Sequence, residues 1–147
     1  MRTLSNEVAA VAGKKVTVCG WIHKKRLLGG LNFINIRDRK GLIQVLVEDK
    51  QEVEKLRGLQ IGTVVCATGN VVADERAPGG AELHDVSIEV IVPVEEAPPV
   101  EIDKPLDHKP DNLDTLFEYR PIGLRNLQET AILKIQSTEI GRASCRE

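Results

Sequence analysis

Between Gly20 and Val47 the chain carries a guanidinium at Arg26, a benzyl ring at Phe33 and a carboxamide at Gln44. Together these groups suit one task, the holding of an unstacked nucleotide base. The ring stacks on the base, the amide offers a donor and an acceptor to its edge, and the cation meets phosphate. Aromatic residues are scarce, Trp21, Phe33, Phe117 and Tyr119 being all there are, so a ring spent on a surface needs a reason. The period-2 pattern of NFINIR puts Phe33, Asn35 and Arg37 on one face and Ile34 and Ile36 on the other. The ring is therefore expected outside, among polar neighbours, with the isoleucines in the core. Gln44 interrupts the apolar run Leu42–Val47, and its plain alternative is an ordinary edge-exposed polar residue.

Charge supports a polyanion partner on one face. The net charge is −2, yet the stretch from Lys14 to Lys40 holds eight cations against the single anion Asp38, leaving a strongly acidic remainder. Such a local patch on a near-neutral chain fits a nucleic-acid backbone. Lys24, Lys25 and Arg39 are the candidates for phosphate contacts. The bland alternative is a solvated charged face. The histidines His23, His84 and His108 are scattered and carry no catalytic pattern. Glu95-Glu96 and Asp38 lack an acid–base partner arrangement. Cys19, Cys66 and Cys145 show no metal-ligand spacing and no disulfide framework, as expected of a reducing, cytoplasmic setting. The amino end has no long apolar stretch, so no signal peptide is expected. No run approaches the length of a membrane-spanning helix.

The elements that must position these groups are short strands. Lys15–Leu27 reads as a first strand, with Val16, Val18, Gly20 and Ile22 on one side, and Gly29-Gly30 supplies the turn of a hairpin. Asn32–Arg37 and Leu42–Val47 are the second and third strands, joined by the turn Asp38-Arg39-Lys40-Gly41. Val53, Leu56 and Leu59 recur at helical spacing in Lys50–Leu59, a short amphipathic helix. Thr63–Val72 is the fourth strand. After a polar loop, Leu83–Val92 is the fifth, with Val86, Ile88, Val90 and Val92 on one side. A helical turn is expected near Asn6–Val11. This order predicts an all-β chain with a short helix, a five-stranded OB-fold barrel whose second and third strands form the nucleic-acid platform. Gly20 and Gly69 suit the sharp bends of the first and fourth strands.

Composition changes after the fifth strand. Pro93, Pro98, Pro99, Pro105 and Pro110 punctuate an acidic stretch that predicts an extended linker. Glu129–Thr138 carries Ile132, Leu133 and Ile135, the start of a helical segment. The predicted organisation is a barrel over residues 1–93, a linker over 94–112, and a hinge with the first helix of a further domain over 113–139. The closing residues 140–147, IGRASCRE, resemble the translation of a sequencing-adapter read and are taken as non-native.

Several of these residues also carry a family likeness. Gly20-Trp21, Arg26, Leu28-Gly29-Gly30, Phe33, Arg37-Asp38-Arg39, Gly41 and Gln44 resemble the anticodon-binding domain of class II aspartyl-tRNA synthetases. Leu113-Asp114, Tyr119-Arg120, Leu124-Arg125 and Ala131-Ile132-Leu133-Lys134-Ile135 resemble the hinge and first catalytic-domain helix of the same enzymes. The likeness covers roughly residues 1–138. It implies that Phe33 stacks on the central uracil of the anticodon, that Gln44 hydrogen-bonds this base and that Arg26 helps hold it. It further implies a homodimeric, cytoplasmic aspartate–tRNA ligase that uses ATP and Mg²⁺ to charge tRNA-Asp. These residues would lack its catalytic domain, hold no cofactor and be inactive alone.

The asparaginyl and lysyl relatives also read a central U, so those three residues do not separate the specificities. The turns Leu28-Gly29-Gly30 and Arg37–Gly41 resemble the aspartyl branch. Val72 and Asp74 stand where the bacterial-type pattern has arginines, and the short loop is closer to archaeal-type enzymes, some of which also charge tRNA-Asn. The rival is a stand-alone OB-fold that binds single-stranded nucleic acid, with no ligase attached.

Overall fold

The computed structural model describes residues 2–27, 31–104 and 110–144, excepting the side chains of 110–112 and 142–144. Five strands, β1 (Lys15–Leu27), β2 (Asn32–Arg37), β3 (Leu42–Val47), β4 (Val64–Ala73) and β5 (Ala81–Val92), close into a barrel in the order β1-β2-β3-β5-β4. All pairs are antiparallel except β3 with β5. The expected five-stranded OB-fold barrel is therefore the observed fold. The hairpin glycines Gly29-Gly30 lie outside the described residues. β5 begins at Ala81, two residues before its expected start. Its alternation holds through Val90, which packs against the core, and ends at Val92, about half exposed, where the pairing with β4 shifts register at Val64/Val65.

The long first strand serves two neighbours. Its first half pairs with β4 (Lys15↔Asn70 through Trp21↔Val64) and its second half with β2 (Trp21↔Arg37 through Leu27↔Asn32). The change of partner needs a sharp bend, and Gly20 sits there. A Cβ at Gly20 would lie 2.1 Å from the carbonyl oxygen of Arg37. Absence of a side chain is thus what lets β2 approach β1. Inside the barrel Val18, Ile22, Ile34, Ile36, Ile43, Val45, Val65, Leu83 and Ile88 are sealed from solvent. The alternation that buries Ile34 and Ile36 leaves Phe33 and Asn35 half-exposed on the other side.

Helix α1 (Lys50–Gly58) spans β3 to β4 and buries Val53 and Leu56 against the barrel. Asp49 caps it by accepting from the Gln51 amide at 2.9 Å, satisfying an otherwise orphaned donor. A 3-10 segment, Ser5–Val11, docks on the barrel through Val8 and through Asp38. The Asp38 carboxylate accepts from Ser5 N and Ser5 Oγ (both 2.7 Å), Lys40 N (2.7 Å) and Gly41 N (3.0 Å). Burial pushes its pKa up, but these hydrogen bonds outweigh burial and hold it below the ordinary carboxylate value.

One expectation is overturned in the β1–β4 seam. Cys19 and Cys66 stand directly opposite each other, Cα atoms 4.1 Å apart, and form a disulfide. They are 47 residues apart in sequence. Spacing along the chain gave no sign of a pairing that antiparallel strands alone create. The argument from absent disulfides to a reducing setting loses its footing with it.

The chain divides into two compact units, Met1–Ala97 and Pro98–Glu147. In the second, α2 (Pro110–Glu118), α3 (Arg120–Gly123) and α4 (Leu127–Ser144) surround an apolar cavity of about 220 Å³ lined by Leu113, Leu116, Phe117, Leu124 and Ile132, among others. Asn126 ties the segment before α2 to the start of α4. Its Nδ2 donates to the Glu101 and Lys104 carbonyls and its Oδ1 accepts from Gln128 N. α2 starts at Pro110, inside the stretch read as linker, and α4 passes without a break through the boundary drawn at residue 140. No described helix is long and apolar enough to cross a membrane.

Candidate nucleic-acid interface

Strand register assembles the site. Arg26 of β1 is directly opposite Phe33 of β2. Asn35 of β2 faces Lys24 on one side and Gln44 of β3 on the other. Directly opposed residues bring their Cβ atoms within about 4.5–5.5 Å, so the five side chains form one patch. Lys24, Arg26, Phe33, Asn35 and Gln44 line a cavity of about 210 Å³, on the scale of a single flat ring system. The Phe33 ring is half-buried and Lys24 and Arg26 are exposed. The lining thus combines a ring that can stack, two cations and two carboxamides.

Gln44 has a fixed partner on the next strand. Its Nε2 donates to Glu82 Oε2 at 3.0 Å, and the other carboxylate oxygen, Oε1, lies 2.7 Å from His84 Nε2. Glu82 is 7% exposed. It reaches Gln44 because β3 and β5 run parallel here, pairing Gln44 with Glu82. The sequence reading missed both Glu82 and His84. The 38 residues between Gln44 and Glu82 hide a contact that only barrel closure makes. Asn35 was legible on the Phe33 face, but its place in the cavity was not.

The expected phosphate-binding cations separate. Lys24 lies beside Arg26 in the cavity wall. Lys25 points to the other side of β1, where its ammonium donates to the Leu56 carbonyl at 3.1 Å and also to that of Leu59. At the end of α1 it adds a donor to the Leu56 carbonyl, which already accepts from the Leu59 amide, and meets the Leu59 carbonyl; burial lowers its pKa. Arg39 is exposed in the β2–β3 turn, six residues along from Phe33, hence up to roughly 20 Å away at the usual strand rise. Arg37, counted with the basic stretch, is buried with its guanidinium 5.7 Å from the centre of the Trp21 ring. The patch of free charge is therefore narrower than composition implied. Beyond the site, Val72 is exposed and Arg76 is paired with Asp74 at 3.1 Å.

A closed five-stranded Greek-key-type barrel with a base-sized cavity across its first three strands defines the class of OB-fold nucleic-acid-binding proteins. The chain belongs to the tRNA anti-codon family within that class: residues 16–94 match its model, described as an OB-fold nucleic acid binding domain. It is 38% identical to the aspartate–tRNA(Asp/Asn) ligase of Archaeoglobus fulgidus over 128 residues, 84% of this chain and 29% of that protein. It is 36% identical to the enzyme of the same description from Thermus thermophilus, over 93% of this chain and 31% of the relative. The crystal structure of asparaginyl-tRNA synthetase from Pyrococcus horikoshii complexed with asparaginyl-adenylate superposes with a TM-score of 0.79 at 34% identity, covering 98% of this chain and 33% of that one. The chain thus spans about a third or less of the length of these relatives.

Proposed function

We propose that this barrel reads the anticodon loop of a tRNA with a central U, as the anticodon-binding part of an aspartate–tRNA ligase that charges tRNA-Asp and also tRNA-Asn. The observation that carries the reading is the Phe33 ring facing the cavity with Arg26 directly opposite and Gln44 one strand away. The uracil stacks on Phe33, its edge meets Gln44, and Arg26 and Lys24 meet the flanking phosphates. Arg39, at the far end of β2, contacts backbone further along the loop. Both relatives described as aspartate–tRNA(Asp/Asn) ligases support the dual tRNA substrate.

The whole enzyme would use ATP and Mg²⁺ to activate aspartate; the chain matches only about 30% of the length of the aspartate–tRNA(Asp/Asn) ligases it resembles. Among the described residues no three His, Cys, Asp or Glu side chains gather to hold a metal ion, and none is assigned a catalytic role. The whole enzyme is read as a cytoplasmic homodimer. The structural likeness to an asparaginyl-tRNA synthetase favours one second reading, in which the amino acid attached is asparagine. Aminoacylation by the completed gene product, with aspartate or asparagine against both transcripts, separates the two.

The interface itself is tested by Phe33→Ala in a filter-binding assay with a U-centred anticodon stem-loop. Affinity is expected to fall by about 1–3 kcal/mol, the worth of one base–aromatic stack. Unchanged binding removes the assignment.

A further inference from the structure

We propose that Cys19 and Cys66 form a reversible thiol–disulfide exchange site, reduced by a dithiol while the barrel stays closed, and that its state sets how firmly β1 is held to β4. Neither sulfur lies in the base-sized cavity. A disulfide on which a fold depends ties together segments that nothing else holds. This one crosses a ladder that is complete without it. β1 and β4 pair over seven consecutive positions, Lys15↔Asn70 through Trp21↔Val64, and Cys19↔Cys66 lies inside that run. Next along the same face, the hydroxyls of Thr17 and Thr68 hydrogen-bond at 2.8 Å. On the inner face Val18, Val65 and Ala67 are sealed from solvent within the core cluster. Backbone bonds and buried side chains therefore keep the strands together once the S–S bond is opened.

The same ladder readies the bond to form again. Register leaves the two thiols directly opposite each other, so closure is an intramolecular step with no loop left to order. Alternation also turns both side chains away from the core, and both are half-buried, within reach of a thiol in solution. The exchange runs as two displacements. A thiolate of the dithiol attacks one sulfur, the S–S bond breaks, and the other cysteine leaves as a thiolate that takes up a proton. The second thiolate of the reductant then attacks its own sulfur in the mixed disulfide and releases the first cysteine, which is protonated in turn. Two electrons and two protons pass to the pair, and the dithiol becomes a cyclic disulfide. The reduced barrel has lost its covalent tie at the point where β1 is about to leave β4 for β2, and the seam opens more often there.

The test equilibrates the 147-residue chain, carrying Cys145→Ser so that only this pair titrates, with mixtures of reduced and oxidised dithiothreitol and no denaturant. Alkylation and mass measurement count the thiols, circular dichroism follows the fold, and amide exchange reads the β1–β4 seam. The pair is expected to pass between no thiols and two at one midpoint, reached from either direction, while the spectrum stays that of a folded barrel. Seam amides should exchange on the order of tenfold or more faster in the reduced form. The double variant Cys19→Ser, Cys66→Ser should fold and keep the faster exchange whatever the reagent ratio. Several results would overturn the proposal. A pair that yields to dithiothreitol only after urea unfolds the chain is a structural bond. A barrel that unfolds on reduction, or a double variant that does not fold, shows that the ladder needs the bond. Two thiols persisting in excess oxidised reagent show that the fold does not bring them together. Equal seam exchange in the two forms removes the switch.

Discussion

Asp38 shows how a charged residue inside a basic stretch can be structural. Four donors converge on one carboxylate, joining the amino-terminal 3-10 segment to the β2–β3 turn. Its folded pKa lies below the unfolded value of about 3.9. The stability it contributes is therefore complete above that value and lost as pH falls through the folded pKa. Asp38→Asn should cost roughly 1–3 kcal/mol at neutral pH, with a smaller penalty in acid, where the parent's carboxyl is itself protonated. Thermal melts of both proteins across an acid series measure the convergence.

The cations make a parallel case. Removing the charge of Lys24 should flatten the salt dependence of RNA binding by about one unit of slope, as expected for a lost phosphate contact. Lys25→Met should leave that slope alone and instead lower thermal stability, since its ammonium serves the end of α1. Salt titrations of the two variants side by side decide between a phosphate ligand and a helix cap.

Among the elements, β1 bears the most constraint because it closes the barrel on both sides. Gly20→Ala would press a methyl carbon into the Arg37 carbonyl, which forces β1 and β2 apart at the end of the ladder where Trp21 pairs with Arg37, the far end from Arg26 and Phe33. A loss of about 1–3 kcal/mol is expected, read by denaturant melts. The β1–β4 seam is pinned by Cys19–Cys66, which closes a loop of 47 residues. Reduction, or Cys19→Ser, should lower stability by about 2–4 kcal/mol. Urea melts with and without reductant provide the measurement, and Cys19→Ser should abolish the difference between them.

At the scale of the whole molecule, the barrel and the helical unit are separately compact, dividing at Ala97. A chain ending there retains the core cluster, the disulfide and every residue lining the base-sized cavity. It should melt cooperatively and bind the U-centred hairpin as the longer chain does. A broad, non-cooperative transition would show that the barrel leans on residues beyond Ala97.

Local pattern was enough for most of the framework. A period of two buries alternate residues in any strand that covers a core, so β1, β2 and β3 were legible to the residue, and with them the outward face of Phe33. The helical spacing of Val53, Leu56 and Leu59 marked α1 for the same reason. What stayed hidden were contacts made by closure between strands remote in the chain: the Cys19–Cys66 bridge, the Glu82 carboxylate beside Gln44, Lys25 turned toward α1, and Arg37 folded onto Trp21. Spacing encodes which side of a strand a residue takes. Which strand lies next to it is set by how the whole barrel buries its apolar faces at once, and that choice decided which polar groups remain free to meet a ligand.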